Sequence, residues 1–254
     1  MVDSVASLAK AVAQSINSAG VPCLLWGHCL LNVHGVPSII ASIDFVVPDD
    51  GLAASATKLT QLPGCKQCAD LEGCPSSSRD RLTPPPAFHV HLTRSELPVE
   101  IHLQSKTLWF LPRIDSKLAF PRKYKHQLPE PFVLATDCDS LPLWRPGRGS
   151  GAFSSTSEES RPVIVPRSHI LLEAFMRLYA RDYGTRIGSF ALSMIGYMEE
   201  YVDEDGYLDI EKLPEPLKKY YLDLRTGEKP VRQWTLEFRR SLGILGPDSD
   251  SDDD

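Results

Sequence analysis

Two acidic residues stand in segments whose apolar, β-branched composition predicts buried strands: Asp44 in SIDFVV and Glu100 in PVEIHL. Carboxylates on neighbouring strands can hold Mg²⁺, which prefers oxygen ligands and neutralises charge during phosphoryl transfer. A strand places residues i and i+2 on one face, so Ser42 shares the face of Asp44. Upstream, Gly27 and His28 form a turn, where a glycine lets the backbone approach a phosphate closely. The pattern predicts a site at which these side chains lie close together.

The spacing of these residues resembles that of the nucleotidyltransferase fold, the DNA polymerase β-like superfamily. That family carries a hydrophobic-Gly-Gly/Ser turn, then acid-hydrophobic-acid on a strand, and a third acid on a later strand. This chain has Trp-Gly-His at 26–28, Ser-Ile-Asp at 42–44 and Val-Glu-Ile at 99–101. The run HGVPSIIASIDFVV is also similar to that of small nucleotidyltransferases of the antitoxin-linked and uncharacterised fungal kinds. The resemblance covers roughly residues 1–110.

The resemblance implies a divergent, fungal-type transferase that moves a nucleotide from a nucleoside triphosphate to an acceptor with Mg²⁺. Asp44 and Glu100 would be its catalytic and metal-binding acids, and Gly27, His28 and Ser42 would contact the nucleotide. Two residues depart from the family pattern. His28 replaces the second small residue of the turn, and Ser42 replaces the first metal-binding acid. The second change removes a full negative charge from a two-metal site.

These departures leave three hypotheses open. The first is the divergent transferase, degenerate at position 42. The second is a catalytically inactive nucleotidyltransferase-fold protein with a binding or regulatory role. The third is a repurposed transferase of fungal secondary metabolism that acts on aminoacyl-tRNA, of the cyclodipeptide synthase kind, although no motif of that family is matched. The partner expected from these hypotheses is a nucleotide or an RNA.

Cysteines concentrate in the segment CKQCADLEGC, which has the spacing C-x2-C-x5-C at Cys65, Cys68 and Cys74. A zinc site would need a fourth ligand, such as Cys138 or a histidine. The alternative is a variable surface loop with no metal.

Histidines alternate on the two strands that surround Glu100. His89 and His91 share a face of the first strand, and a transition-metal site there is one hypothesis. Ordinary alternation on a solvent-facing strand is the other. We expect His102, on the second strand, to point away from Glu100.

Hydrophobic periodicity predicts the elements that must position these side chains. The expected helices span 3–19, 28–34 and 50–62, and the expected strands span 22–26, 41–48, 87–94, 97–104 and 131–136. Later in the chain the period of 3.6 residues predicts helices at 168–184, 186–202 and 231–243, and the segment PEPLKKYYLDL at 214–224 lies between the last two.

The predicted fold class is α/β (α+β): a nucleotidyltransferase-like mixed sheet with flanking helices, followed by a helical C-terminal domain. We place the nucleotidyltransferase-like domain at 1–143 and the helical domain at 162–246. Between them, the Gly/Ser-rich segment 144–161 is predicted to be a flexible linker or loop. Residues 247–254 are predicted to be a disordered acidic tail whose protein partner is unknown.

Composition bounds the partners. The net charge is −6, and five tail aspartates account for most of it, so the rest of the chain carries only −1 and no basic DNA-binding signature. No apolar run reaches the roughly 18 residues that span a membrane. Asp3 and the polar residues near the start do not fit a secretory signal. We therefore expect a cytoplasmic protein with no membrane partner and with free thiols.

Overall fold

A computed structural model of the chain describes residues 2–78, 80–93, 95, 97–120, 128–154 and 162–245. The chain divides into two compact units, Met1–Arg167 and Ser168–Asp254. The strands of the first unit are β1 (Leu24–Trp26), β2 (Ile43–Val47), β3 (Cys65–Gln67), β4 (Phe88–Leu92), β5 (Pro98–Leu103), β6 (Phe132–Leu134) and β7 (Ile164–Pro166). They form one mixed sheet in the order β3-β4-β5-β2-β1-β7-β6.

Eight α-helices surround or follow this sheet in the described part of the chain. The first unit has α1 (Val2–Asn17), α2 (Gly27–Val33), α3 (Leu52–Gln61) and the single turn α4 (Gln104–Thr107). The second unit has α5 (Ser168–Arg181), α6 (Arg186–Met198), α7 (Leu217–Thr226) and α8 (Val231–Ser241). A mixed sheet with flanking helices followed by a helical unit is the fold class that the sequence predicts, and it is confirmed.

The centre of the sheet is the pair β2 and β5, which run parallel to each other. All five residues of β2 are buried, as the continuous run IDFVV requires of a strand covered on both faces. β1 pairs with β2 on its other side in antiparallel register. Helix α1 covers the sheet with the apolar stripe Ala9, Val12 and Ile16, and it packs against α3. The acids of the predicted site thus lie on the most enclosed strands.

The segment 144–161 is predicted to be a flexible linker or loop, but its first part is packed against other residues of the first unit. Residues 144–154 pack onto the last turn of α2 and the residues after it: the amide of Gly149 donates to the carbonyl oxygen of Gly35, and that of Gly151 donates to the carbonyl oxygen of Asn32. A Cβ at Gly149 would overlap the carbonyl oxygens of this segment, and Phe153 is buried. Two of the glycines that predicted flexibility, Gly149 and Gly151, are therefore needed for close backbone approach. Residues 155–161 of the predicted linker and the acidic tail at 247–254 lie outside the described residues.

The second unit has its own aromatic core. Trp234 of α8 stacks on Tyr179 of α5 and contacts Phe238 and Tyr220 at ring-centroid distances of 5.1–6.3 Å. Its indole Nε1 donates to the carbonyl oxygen of Tyr220 at 2.8 Å. Burying the ring while its N–H is paired is the favourable way to place a tryptophan in a core. No helix in the described ranges is long and apolar enough to cross a membrane.

Candidate functional site

The strand register brings the two predicted acids side by side. Asp44 of β2 lies opposite Glu100 of β5. The same row continues outward to Trp26 of β1 and to His89 of β4. Residues opposite each other on paired strands share a face and lie about 5 Å apart, so the two carboxylates face one site. The sheet therefore joins residues that are 56 positions apart in the sequence.

His102 belongs to the same group. Its Nε2 lies 3.7 Å from Oε2 of Glu100, and ligand atoms of Asp44, Glu100 and His102 all lie within 4.8 Å of one another. The expectation that His102 points away from Glu100 is wrong, because the two-residue period of a strand returns His102 to the face of Glu100.

Gly27 makes room for the Asp44 carboxylate. Gly27 begins α2 directly after β1, with a φ of +63°, in the left-handed region where glycine is favoured. A Cβ at position 27 would overlap Oδ2 of Asp44 and would lie 2.9 Å from its Cγ. The sequence predicts that Gly27 lets the backbone approach a phosphate. In the structure the group that approaches Gly27 is the carboxylate of Asp44.

Asp44 is buried and incompletely satisfied. Its Oδ1 has no hydrogen-bond partner among the described residues. Burial raises the pKa of Asp44 from 3.8 to about 6, with a further rise from the charge of Glu100. The nearby His102, the Ser42 side chain and Arg81 offset part of that rise. Asp44 is therefore a poorer anion at neutral pH than an exposed aspartate.

Glu100 is held by an arginine that comes from the loop between β3 and β4. Arg81 donates from Nη2 to Oε2 at 2.7 Å and from Nη1 to Oε1 at 3.1 Å. The side chains are 12% and 2% exposed, so this is a buried ion pair of the bidentate kind. Burial by itself would raise the pKa of Glu100, but the His102 ring and the Arg81 guanidinium outweigh it and lower the pKa to about 2. Glu100 stays ionised and already has a cation.

Arg81 is also fixed by its own loop. Its guanidinium donates to the carbonyl oxygen of Ser76 and, at 3.0 Å, to the hydroxyl of Thr83. Nothing in the sequence around position 81 singles this arginine out, since it follows a stretch rich in serine and precedes three prolines. A lone buried glutamate on β5 was the available signal, because such a residue requires a positive partner from elsewhere in the chain.

The residues present do not fit the two-ion Mg²⁺ site that the resemblance implies. Both oxygens of Glu100 accept hydrogen bonds from Arg81, and position 42 offers a hydroxyl where the family has an acid. The third donor, the imidazole of His102, suits transition metals better than Mg²⁺. The orphaned Oδ1 of Asp44 is the one feature of this group that favours a cation. One carboxylate oxygen falls short of what two Mg²⁺ ions need.

A cleft of about 840 Å³ opens beside this group. Its lining includes Arg81 and five residues that the sequence singles out: His28, Ser42, Cys74, His91 and Glu100. Gly27 and Asp44 are not part of the lining. Nδ1 of His28 is 2.6 Å from the hydroxyl of Ser38, so one ring nitrogen already has a hydrogen-bond partner. Burial and the charge of Arg81 lower its pKa, so the ring is neutral at pH 7.

The described part of the loop between β3 and β4 supplies most of the remaining wall. Its polar contributors are the hydroxyls of Ser76, Ser78 and Thr83 and the acids Glu72 and Asp80. Among the described residues, the cleft wall thus has one arginine, Arg81, which Glu100 already neutralises, and two further carboxylates. Such a wall suits a polar ligand with many hydroxyl groups better than a highly charged anion.

Comparison with known proteins adds one distant likeness. A crystal structure of an antigenic nucleotidyltransferase-like protein from Paracoccidioides brasiliensis aligns over 92% of each chain, with 13% sequence identity and a TM-score of 0.40. A TM-score of 0.40 is too low to carry an argument about this chain. No family model matches the sequence, and no curated protein does. The interpretation of the site therefore depends on its own residues.

Proposed function

We propose that this protein is a nucleotidyltransferase-like binding protein that has exchanged the catalytic metal for an arginine. The observation that carries the proposal is the bidentate ion pair between Arg81 and Glu100. The guanidinium provides at Glu100 the positive charge that a Mg²⁺ ion provides in a transferase of this kind. Of the two remaining acids, Glu100 has the arginine as its counter-ion, and Asp44 is the weaker anion, since burial raises its pKa to about 6.

Displacing Arg81 to admit a metal would be costly. Removing one partner from a buried ion pair costs about 3–5 kcal/mol, because the other charge is left without a counter-ion. The structure would also lose the contacts of Arg81 with Ser76 and Thr83. The free-energy cost of displacing Arg81 favours the inactive, ligand-binding hypothesis over ordinary nucleotide transfer.

The cleft indicates the class of ligand. Its volume of about 840 Å³ lies within the range of small-molecule sites. Hydroxyls and His28 in the wall can hydrogen-bond to a base or a sugar, whereas Glu72 and Asp80 oppose a triphosphate that arrives without a cation. We therefore propose a nucleoside or another hydroxyl-rich molecule of that size as the ligand.

The test is isothermal titration calorimetry with nucleosides and nucleoside triphosphates, each in Mg²⁺ and in EDTA. We expect nucleoside binding that EDTA does not change. Ser78→Trp, which fills the cleft wall, should abolish binding, while Ser193→Trp on the exposed face of α6 should leave it unchanged. Absence of nucleoside binding, or equal loss in both variants, would contradict the proposal.

The Mg²⁺-dependent transferase is the second candidate, and the unpartnered Oδ1 of Asp44 favours it. It requires triphosphate binding that depends on Mg²⁺ and that Asp44→Asn weakens at least tenfold. Under our proposal, the wild-type protein has no such dependence, and Ser42→Asp is needed to create Mg²⁺ binding. Transfer to an aminoacyl-tRNA stays a prediction of the sequence, and co-purification of ribonuclease-sensitive tRNA would support it.

A further inference from the structure

A second cluster of metal-binding side chains lies on β4, beside the row of Asp44 and Glu100. Ligand atoms of Cys68, Cys74, His89 and His91 all lie within 4.8 Å of one another. Cys74 and His89 are buried, and Cys68 and His91 are half-buried. Two thiols and two imidazoles are the donor set of closed structural zinc sites.

The strands explain why these four residues meet. His89 and His91 share a face of β4, as the sequence predicts. β3 pairs with β4 in a register that places Lys66 opposite His91, so the next ladder position on that face belongs to Cys68, opposite His89. Cys65 lies opposite Leu92, on the other face, and is not part of the cluster.

The distances fit a tetrahedral ion. Sγ of Cys74 is 3.3 Å from Nε2 of His89 and 3.5 Å from Nε2 of His91. With Zn–S near 2.3 Å and Zn–N near 2.0 Å, the sulfur-to-nitrogen edge of a tetrahedron is about 3.5 Å. Both histidines present Nε2 to Cys74, and this nitrogen is one of the two through which an imidazole can bind a metal ion.

The chain between the two thiols is held in a compact turn. Oδ1 of Asp70 accepts a hydrogen bond from the amide of Gly73 at 2.9 Å. A Cβ at Gly73 would overlap the Asp70 carboxylate, so this turn needs the glycine. The turn presents Cys68 and Cys74 to the same side, where the histidines of β4 lie.

We propose that Cys68, Cys74, His89 and His91 bind one structural Zn²⁺ ion. The ion fastens the loop between β3 and β4 to the face of β4. That loop continues to Ser76 and Arg81, so the zinc ion fixes the wall of the cleft. The zinc proposal does not depend on which ligand binds in the cleft, because its test measures zinc binding alone.

The experiment measures zinc in the full chain after expression with zinc and dialysis against zinc-free buffer. Inductively coupled plasma mass spectrometry should give about one zinc per chain in the wild type and in Cys65→Ser. Cys74→Ser and His91→Ala should lose at least about tenfold in zinc content. A wild type without zinc, a Cys65→Ser variant that loses as much as Cys74→Ser, or a Cys68–Cys74 disulfide in the mass spectrum would overturn the proposal.

A measurement on the wild type alone covers the case in which the variants fail to fold. Co²⁺ added to the chelator-treated protein should give one equivalent of a tetrahedral spectrum with thiolate-to-cobalt charge transfer, and Zn²⁺ should bleach it. Hydrogen exchange in the described residues between 68 and 83 should rise on chelation and fall when Zn²⁺ is restored. Absence of the cobalt spectrum, or exchange indifferent to chelation, would contradict the site.

Discussion

At the scale of single residues, the site depends on the fit between a glycine and a buried acid. Gly27 adopts a φ of +63°, and the Asp44 carboxylate fills the space where a side chain would stand. Asp44 is kept in this position although Oδ1 lacks a partner among the described residues and burial raises its pKa to about 6. A left-handed backbone and a buried, incompletely bonded carboxylate both cost stability, and two variants can measure that cost.

Gly27→Ala should be strongly destabilising, because the new Cβ meets both left-handed strain and the Asp44 carboxylate. We expect a loss of about 3–5 kcal/mol in the free energy of unfolding, measured by urea titration. Gly20→Ala is the matched control, since Gly20 has a φ of +74° and nothing within 4 Å of its Cβ position. It should lose only about 1 kcal/mol. Equal losses would mean that the contact with Asp44 is unimportant.

Asp44→Asn should change the pH dependence of stability. Because the pKa of Asp44 is raised from 3.8 to about 6 in the fold, its ionisation disfavours folding, and stability falls as pH rises through this window. The asparagine variant lacks this loss. We expect it to gain about 2 kcal/mol relative to the wild type between pH 4 and pH 7 in urea titrations. Asp139→Asn, at an exposed position, is the control for replacing a carboxylate by an amide. A stability difference between Asp44→Asn and the wild type that stays constant with pH would refute the expectation.

At the scale of elements, the loop between β3 and β4 is tied to β5 by a charge. Arg81 reaches back to Glu100, and Ser76 and Thr83 of the same loop accept from its guanidinium. A second arginine of the first unit, Arg113, pairs with Asp50 in solvent, with side chains 72% and 67% exposed. The two pairs have the same chemistry in different environments, so they form a natural comparison.

Arg81→Ala should cost about 3–5 kcal/mol, because Glu100 is left buried and charged, whereas Arg113→Ala should cost less than about 1 kcal/mol. Adding Glu100→Gln to Arg81→Ala should restore part of the loss, since the unpaired charge is removed. Urea unfolding of the three variants measures all these values. A cost for Arg81→Ala no larger than for Arg113→Ala would mean that the ion pair does not hold the loop.

At the scale of the whole molecule, the chain has two compact units, each with its own core. The first centres on the buried strands β2 and β5, and the second centres on Trp234 and the rings around it. The division falls between Arg167 and Ser168, at the start of α5, because β7 still pairs with β1 and β6. A unit with its own core can lose stability locally.

Trp234→Ala should destabilise the second unit by about 3–5 kcal/mol, since it empties the site of a ring that is 1% exposed. Hydrogen exchange followed by mass spectrometry should show faster exchange in α5 and α8 and unchanged protection in β2 and β5. Trp144→Ala, at a tryptophan that is 66% exposed, should leave exchange unchanged in both units. Uniform loss of protection across both units would contradict two separately stabilised cores.

The sequence by itself determined the features that depend on neighbours along the chain. Periods of two and 3.6 residues located β2, β5 and the helices, and they placed His89 and His91 on one face, because these periods are local geometry. The same period also puts His102 on the face of Glu100.

Only the tertiary structure decided which distant groups meet. It brought Arg81 to Glu100, the Asp44 carboxylate to Gly27, and two cysteines to two histidines. These contacts depend on the path of the loop between β3 and β4 and on the register of the strands. Side-chain packing across the whole sheet sets that register. The glycines of 144–154 make the same point, since composition alone does not distinguish a flexible glycine from one that admits close backbone contact.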